Sequence, residues 1–294
     1  MKHAYLIMAH NNFDVVAAFL RILDSEDNDF YIHINKKIKS YPESLLKDSV
    51  HNSKLFFVPR VSVGYYNYTM VEAVKSLFNS SIKNKYDYYH LVSCSDMPIK
   101  SKTEIDKFFT ENNGKLFVGF APRQIRENSE YFHFFSTYRR LKSSLGSKIF
   151  KRLAKLEFGV QRLLKVNRLK NCPYEVKKGC DWYSITHDAA VYLMENEPIF
   201  KKYFYRSFCP TEYFAHTVLY NSDFRDCFYD LDDEFHGLMR FVDWDRGRPY
   251  VFRSCDFDEL ISSDYMFARK FMENIDFDIV RQLENYLTTG LKGE

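Results

Sequence analysis

Apolar positions fall into two alternating rhythms over the first third of the chain. Residues 4–9 (AYLIMA), 30–34 (FYIHI), 54–58 (KLFFV), 88–93 (YYHLVS) and 115–120 (KLFVGF) are apolar runs of strand length. Between them, 13–23 carries Val15, Val16, Phe19, Leu20 and Leu23 at helical spacing, and 69–78 and 102–110 read as further helices. Thr69, with Glu72 three residues on, has the form of a capping box. Strand and helix in this order predict an α/β chain with a mostly parallel sheet covered by helices. Ligands of such sheets bind outside the carboxyl ends of the strands. That rule places 9–12, 35–37, 59–66 and 94–100 at the mouth.

The middle of the chain changes character. Residues 139–170 hold eleven Lys or Arg against one acid, Glu157. Ile149, Leu153, Leu156, Val160, Leu163 and Leu164 recur there on one helical face. The segment is expected to be a surface helix packed by this apolar stripe, with a solvated basic face. Peripheral contact with an anionic membrane is the alternative. Further on, 184–196, 211–220, 267–271 and 279–287 read as helices.

Composition narrows the classes. A chain of 294 residues buries a large core and fits one domain or two packed halves. No apolar run approaches the roughly 20 residues of a membrane span. The first residues, MKHAYLIMAHNN, suit a strand better than a signal peptide, so a cytoplasmic location is expected. A net charge of +3 does not argue for nucleic acid. The 28 Phe and 22 Tyr supply many surfaces with an apolar body and a polar tip, which suit sugar contacts as well as packing. Six cysteines without a C-x-x-C pair fit neither a zinc site nor a redox motif.

Several motifs are absent. No G-x-G-x-x-G follows the first strand, no P-loop is present, and there is no G-x-S-x-G elbow. Five D-x-D triplets occur, at 27/29, 230/232, 243/245, 256/258 and 276/278. Paired carboxylates after a nucleotide-binding strand would suit a divalent cation. Here the first triplet precedes the second strand and the others lie late in the chain. At the expected place stands Cys94-Ser95-Asp96-Met97-Pro98, with a single acid.

In order along the chain, AYLIMAHNN, YIHINKK, VSVGYYNYTMVEAVKSLF, HLVSCSDMPIKS, GCDWYSITHDAAVYL, CPTEYFAHTVL, RFVDWDRGRPYVF and SSDYMFARKF resemble the blocks of one family. It is the core-2/I-branching β-1,6-N-acetylglucosaminyltransferases, glycosyltransferase family 14, which also includes peptide xylosyltransferases. The likeness runs from about residue 2 to 271 and is weakest over 122–170. It implies a GT-A-like fold, with 1–121 as the nucleotide-sugar-binding half and 122–294 as the acceptor-binding and catalytic half. It also implies an inverting, metal-independent transfer from a UDP-sugar, with N-acetylglucosamine as the expected sugar, to a hydroxyl of a glycan or lipid-linked oligosaccharide. A bacterial-type member, acting in surface polysaccharide or lipid-linked glycan synthesis, is expected.

The same resemblance assigns roles. Glu212, in the P-[DE]-E block, maps to the base that deprotonates the acceptor hydroxyl. Read alone, it is a first-turn helix acid favoured by the helix dipole. Arg253 and Lys270 map to the cations that take up the diphosphate charge, with Arg269 as a substitute. Read alone, they are ordinary surface charges. His10, Asn35 and Asp96 map to the nucleotide site, and Asn35 stands where the family carries Asp. Trp244 and Trp182 are candidates for stacking the acceptor sugar, and Trp182 also reads as core. Other donors (UDP-xylose, UDP-glucose or UDP-galactose) and a non-catalytic glycan-binding protein remain as alternatives.

Overall fold

The computed structural model describes residues 1–122, 126–135 and 144–290. In chain order the elements begin β1 (His3–Ala9), α1 (Phe13–Leu23), β2 (Asn28–Ile34), α2 (Glu43–Lys47), β3 (Lys54–Phe57), α3 (Thr69–Ser81), β4 (Tyr88–Ser93), β5 (Asp96–Pro98) and α4 (Lys102–Glu111). They continue with α5 (Arg126–Glu130), α6 (Ser144–Leu163), β6 (Tyr183–Thr186), α7 (His187–Glu195), α8 (Glu197–Phe204) and α9 (Thr211–Tyr220). Last come α10 (Glu234–Leu238), β7 (Arg240–Val242), α11 (Phe257–Ser262), β8 (Phe267–Arg269) and α12 (Asp278–Thr289).

The central sheet has the order β3-β2-β1-β4-β6. Its first four strands are parallel, and β6 joins β4 antiparallel. A second sheet, β5-β8-β7, is small and mixed. Period-2 alternation divides each central strand between two cores. Tyr5, Ile7, Phe30 and Ile32 point to the face covered by α1, α4 and α12. Ala4, Leu6 and Tyr31 point to the face covered by α3, α7 and α9. Helices on both faces of a mostly parallel sheet agree with the expected GT-A-like architecture. No helix among the described residues is long and apolar enough to cross a membrane.

Five local expectations are corrected. Residues 115–120 form no strand element, only single bridges from Leu116 to Phe228 and from Phe117 to Ser184. Residues 184–196 begin as strand β6 and turn helical at His187. Residues 267–271 contain strand β8 in place of a helix. The capping box at Thr69 does not form, because Tyr68 already has helical angles and the Thr69 hydroxyl serves Asn67 and Gly64. The apolar stripe of 139–170 does not pack inward: Leu156, Leu163 and Leu164 are 65–82% exposed. Residues 139–143 of that segment lie outside the described residues.

A polar file crosses the otherwise apolar sheet. His3 Nδ1 meets His90 Nε2 at 2.8 Å, and His90 Nδ1 meets the Ser184 hydroxyl at 2.8 Å. Facing ring nitrogens at that distance share one proton, so burial and mutual repulsion hold the pair neutral. Burial lowers the pKa of His3 and takes His90 well below the usual value. Burial also pushes His216 down to about 3. The unfolded chain binds these protons below about pH 6.5 and the folded chain does not, so stability falls as pH falls through that value. Between pH 7.5 and 5.0 His216, held neutral throughout, is expected to cost about 2 kcal/mol, and His3 and His90 act in the same direction. Urea unfolding at the two pH values checks this, and equal midpoints would show that the three rings protonate in place.

Candidate active site

A cavity of about 270 Å³ opens at the carboxyl ends of β1, β2 and β4. His10 and Asn11 enter it from the end of β1, Asn35 from β2, and Ser93, Cys94 and Ser95 from β4. Tyr65 and Met70 close one side, while Trp182, Arg269, Lys270 and Met272 form another. Asn12 locks the junction behind. Its backbone is left-handed, at φ 51°, a conformation Asn tolerates better than most residues. Its amide donates to the Ser95 hydroxyl at 2.9 Å and to the Phe271 carbonyl at 3.4 Å. One side chain thus joins the exits of β1, β4 and β8.

Each wall has its own cause. The Asn35 side chain accepts from Lys37 N and Val63 N, pinning the loop after β3 over the cavity. Asp96 does not line the cavity. It is 1% exposed, accepts from Ser93 N at 2.7 Å and faces Arg269 Nε at 3.4 Å. Its place is behind the wall, aiming the arginine. The Arg269 guanidinium lies over the Trp182 ring at 4.9 Å, so that indole face carries a cation. Arg240 is buried beneath, donates to the Leu91 carbonyl at 3.0 Å, and is brought down to about 10 by burial. With Lys270 beside them, this side of the site holds three cations against one carboxylate.

The other end of the site is acidic. Glu212 stands in the first turn of α9, and Lys178 Nζ approaches its Oε2 at 2.8 Å. Segment 177–182 is clamped here, with Ala121 N on the Lys178 carbonyl and Gly179 N on the Glu212 carbonyl. Gly179 permits the approach, since a Cβ there would stand 1.9 Å from the Gly119 carbonyl oxygen and 2.6 Å from His216 Nε2. The same segment brings in Asp181, whose Oδ1 is buried without a hydrogen-bond partner. Burial first, then the charge of Glu212, pushes Asp181 up to about 6, against the pull of Arg269 and Lys178. Asp181 therefore lies within electrostatic reach of both ends of the site.

A model of the Core-2/I-Branching enzyme family matches residues 3–260. The chain belongs to the Core-2/I-Branching enzyme family. It is 24% identical over 301 residues to "Xylosyltransferase sqv-6" of Caenorhabditis briggsae, covering 92% of this chain and 34% of that protein. It is 23% identical over 318 residues to human "Beta-1,3-galactosyl-O-glycosyl-glycoprotein beta-1,6-N-acetylglucosaminyltransferase", covering 97% of this chain and 69% of that protein. Among solved structures, mouse xyloside xylosyltransferase 1 in its apo form aligns with a TM-score of 0.38 at 12% identity, over 91% of this chain and 96% of that one. The chain spans about a third of the length of the xylosyltransferases it matches.

Not every residue expected from the Core-2/I-Branching family lines the cavity. His10, Asn35, Trp182, Lys270 and the substitute Arg269 do so. Glu212 stands beyond Asp181. Arg253 is exposed and outside the lining, although Phe252 N donates to the Lys270 carbonyl at 3.0 Å and brings it near. Trp244 is 51% exposed and lines a separate surface depression with Phe235, Phe241 and Arg246. Two D-x-D triplets are occupied by Arg246, which pairs with Asp243 and Asp256. Among the described residues no group of three or more His, Cys, Asp or Glu is placed to hold a metal ion. Sequence reasoning passed over Asp181 and Lys178. The one signal was an acid set among the aromatics of GCDWY.

Asp181 yields a signed expectation. A carboxyl raised to about 6 is protonated in the folded chain before the unfolded one, so its ionisation lowers stability as pH rises from about 4 to 6. This opposes the histidine trend. Asp181→Asn is expected to stabilise the protein at pH 7.5 by on the order of 2 kcal/mol, with the gain vanishing near pH 4. Urea denaturation of both forms at the two pH values measures it. A gain independent of pH would place the effect in packing.

Proposed function

We propose that this chain is an inverting glycosyltransferase that uses a UDP-sugar and a hydroxyl of a glycan or lipid-linked oligosaccharide. The observation that carries this reading is the polarity of the site. Arg269 and Lys270 stand on the cavity wall, and Asp181, which feels the charges of both Arg269 and Glu212, connects them to the Glu212–Lys178 pair. In the reaction Glu212 takes the proton of the acceptor hydroxyl as its oxygen bonds to the anomeric carbon. The bond from that carbon to the diphosphate oxygen breaks on the opposite side, inverting the centre. UDP departs with charge that Arg269 and Lys270 neutralise as it develops. We propose that these fixed cations serve in place of a metal. His10 and Asn35, on the cavity wall, would hold the nucleoside end.

N-acetylglucosamine is the proposed sugar. Xylose is the second reading, favoured by the number of relatives whose names are xylosyltransferases.

Two measurements test the proposal. Glu212→Gln is expected to slow transfer by about 10²- to 10⁴-fold, the range for loss of a general base, and to leave UDP affinity unchanged. Near-normal turnover would assign the base elsewhere. Thermal unfolding with UDP and each UDP-sugar, with and without EDTA, tests donor and metal together. A ligand at a hundredfold over its Kd adds about 2.7 kcal/mol, a rise of a few degrees at this size. The donor is the UDP-sugar whose shift is largest and survives EDTA. A shift abolished by EDTA would overturn metal independence, and no shift with any uridine nucleotide would overturn the donor class.

A further inference from the structure

Helix α6 presents to solvent the face that its sequence would be expected to bury. Its inward face is instead the one with Ala154 and Gln161, which are 1% and 7% exposed. The Gln161 amide accepts from Phe132 N at 2.7 Å and donates to the Phe132 carbonyl at 3.0 Å. Glu157, the helix's only acid, turns to Phe134 N at 3.0 Å. Ile149, Leu153, Leu156, Val160, Leu163 and Leu164 are left facing solvent, with exposures from 36% to 82%. They recur at helical spacing and form one continuous row along four turns. Single exposed aliphatic residues are common on protein surfaces, but a row of six marks a surface built to be covered.

Charge decides what covers it. Lys148, Lys151, Arg152 and Lys155 are exposed beside the row, and no described acid pairs with them. Lys165 is exposed just beyond the helix. A second copy of the chain would press these cations against their own kind. A nucleic acid would answer the cations but offer nothing to six aliphatic side chains. A bilayer with anionic headgroups answers both: acyl chains take the row and phosphates take the cations.

We propose that α6 docks on an anionic lipid surface, lying in its plane with the Leu/Ile/Val row in the boundary between headgroups and acyl chains. The helix rests on residues 126–135, which in turn hold the loop before α9. The Asn128 carbonyl accepts from Phe208 N at 2.8 Å, and His133 N donates to the Arg206 carbonyl at 2.9 Å. Docking therefore sets the loop leading to Glu212 one layer above the lipid. The proposal stands on the helix surface and does not depend on the transferase reading.

The test is flotation of the full chain with vesicles, with no donor or acceptor present. Phosphatidylcholine vesicles containing phosphatidylglycerol are expected to carry the protein upward, and pure phosphatidylcholine vesicles to carry far less. Each cation near such a surface contributes about fivefold in affinity, so a Lys148→Gln, Lys151→Gln, Arg152→Gln, Lys155→Gln variant is expected to lose several hundredfold. A Leu156→Ser, Leu163→Ser, Leu164→Ser variant is expected to lose at least about tenfold, because binding scales with the apolar area buried as well as with charge. All seven positions are exposed, so both variants should keep the parent's melting temperature. Failure of the parent to float with the anionic vesicles overturns the proposal, as does undiminished flotation of either folded variant. A parent dimer in light scattering that the leucine variant abolishes would give the surface to a second copy instead.

Discussion

Asp96 is a carboxylate taken out of water, with Ser93 N donating to it at 2.7 Å and Arg269 Nε facing it at 3.4 Å. A charge buried in this way is tolerated only with a partner, and removing either member leaves the other uncompensated. Much of the site follows from that constraint. It binds the turn after β4 to the end of β8, so the small sheet is held against the large one. It aims Arg269 across Trp182 into the cavity and leaves Lys270 free to line the same wall. Arg240 beneath adds a second cation that one aspartate cannot neutralise. The wall is positive before any ligand arrives, which is the preorganisation an anionic leaving group requires.

The acidic end is built by close backbone contact. Segment 177–182 runs between residues 117–121 and the start of α9, and Gly179 allows chains to meet there that any Cβ would separate. The result brings the charge of Glu212 to bear on buried Asp181, with Lys178 paired to Glu212 and Arg269 near Asp181. A buried carboxyl whose proton affinity is raised, as Asp181's is, is a mark of sites that handle protons. Around this, neutral buried histidines and clustered tyrosines supply a core that is polar in places, paired in the His3–His90–Ser184 file and at Tyr31–Tyr86.

Family membership and architecture were legible at the level of blocks. Helix α1, helix α9 and strand β4 span the residues that the local sequence pattern assigns them. The misreadings have physical causes. Strands β5, β7 and β8 have three residues each, too few for an alternation to show. Residues 115–120 have a strand's composition, but their neighbours bond them at single points. The exposed row on α6 has the same period as a core-facing stripe, and periodicity reports that a face is apolar without saying what it meets.

What the sequence determined by itself was local and ordinal: where apolar runs recur, which breakers separate them, and which motif follows which. That was enough for a mostly parallel sheet with its mouth at His10, Asn35 and the end of β4, while Glu212 and Lys270 were singled out only by their place in the family's blocks. Only the tertiary structure decided that Asp96 stands behind the wall and Arg269 on it. It also decided that Trp244 and Arg253 lie outside the cavity, and that Asp181 and Lys178 belong beside Glu212. These depend on contacts between segments tens to hundreds of residues apart. Such contacts are set by how the two cores pack on the sheet, and no local pattern encodes them.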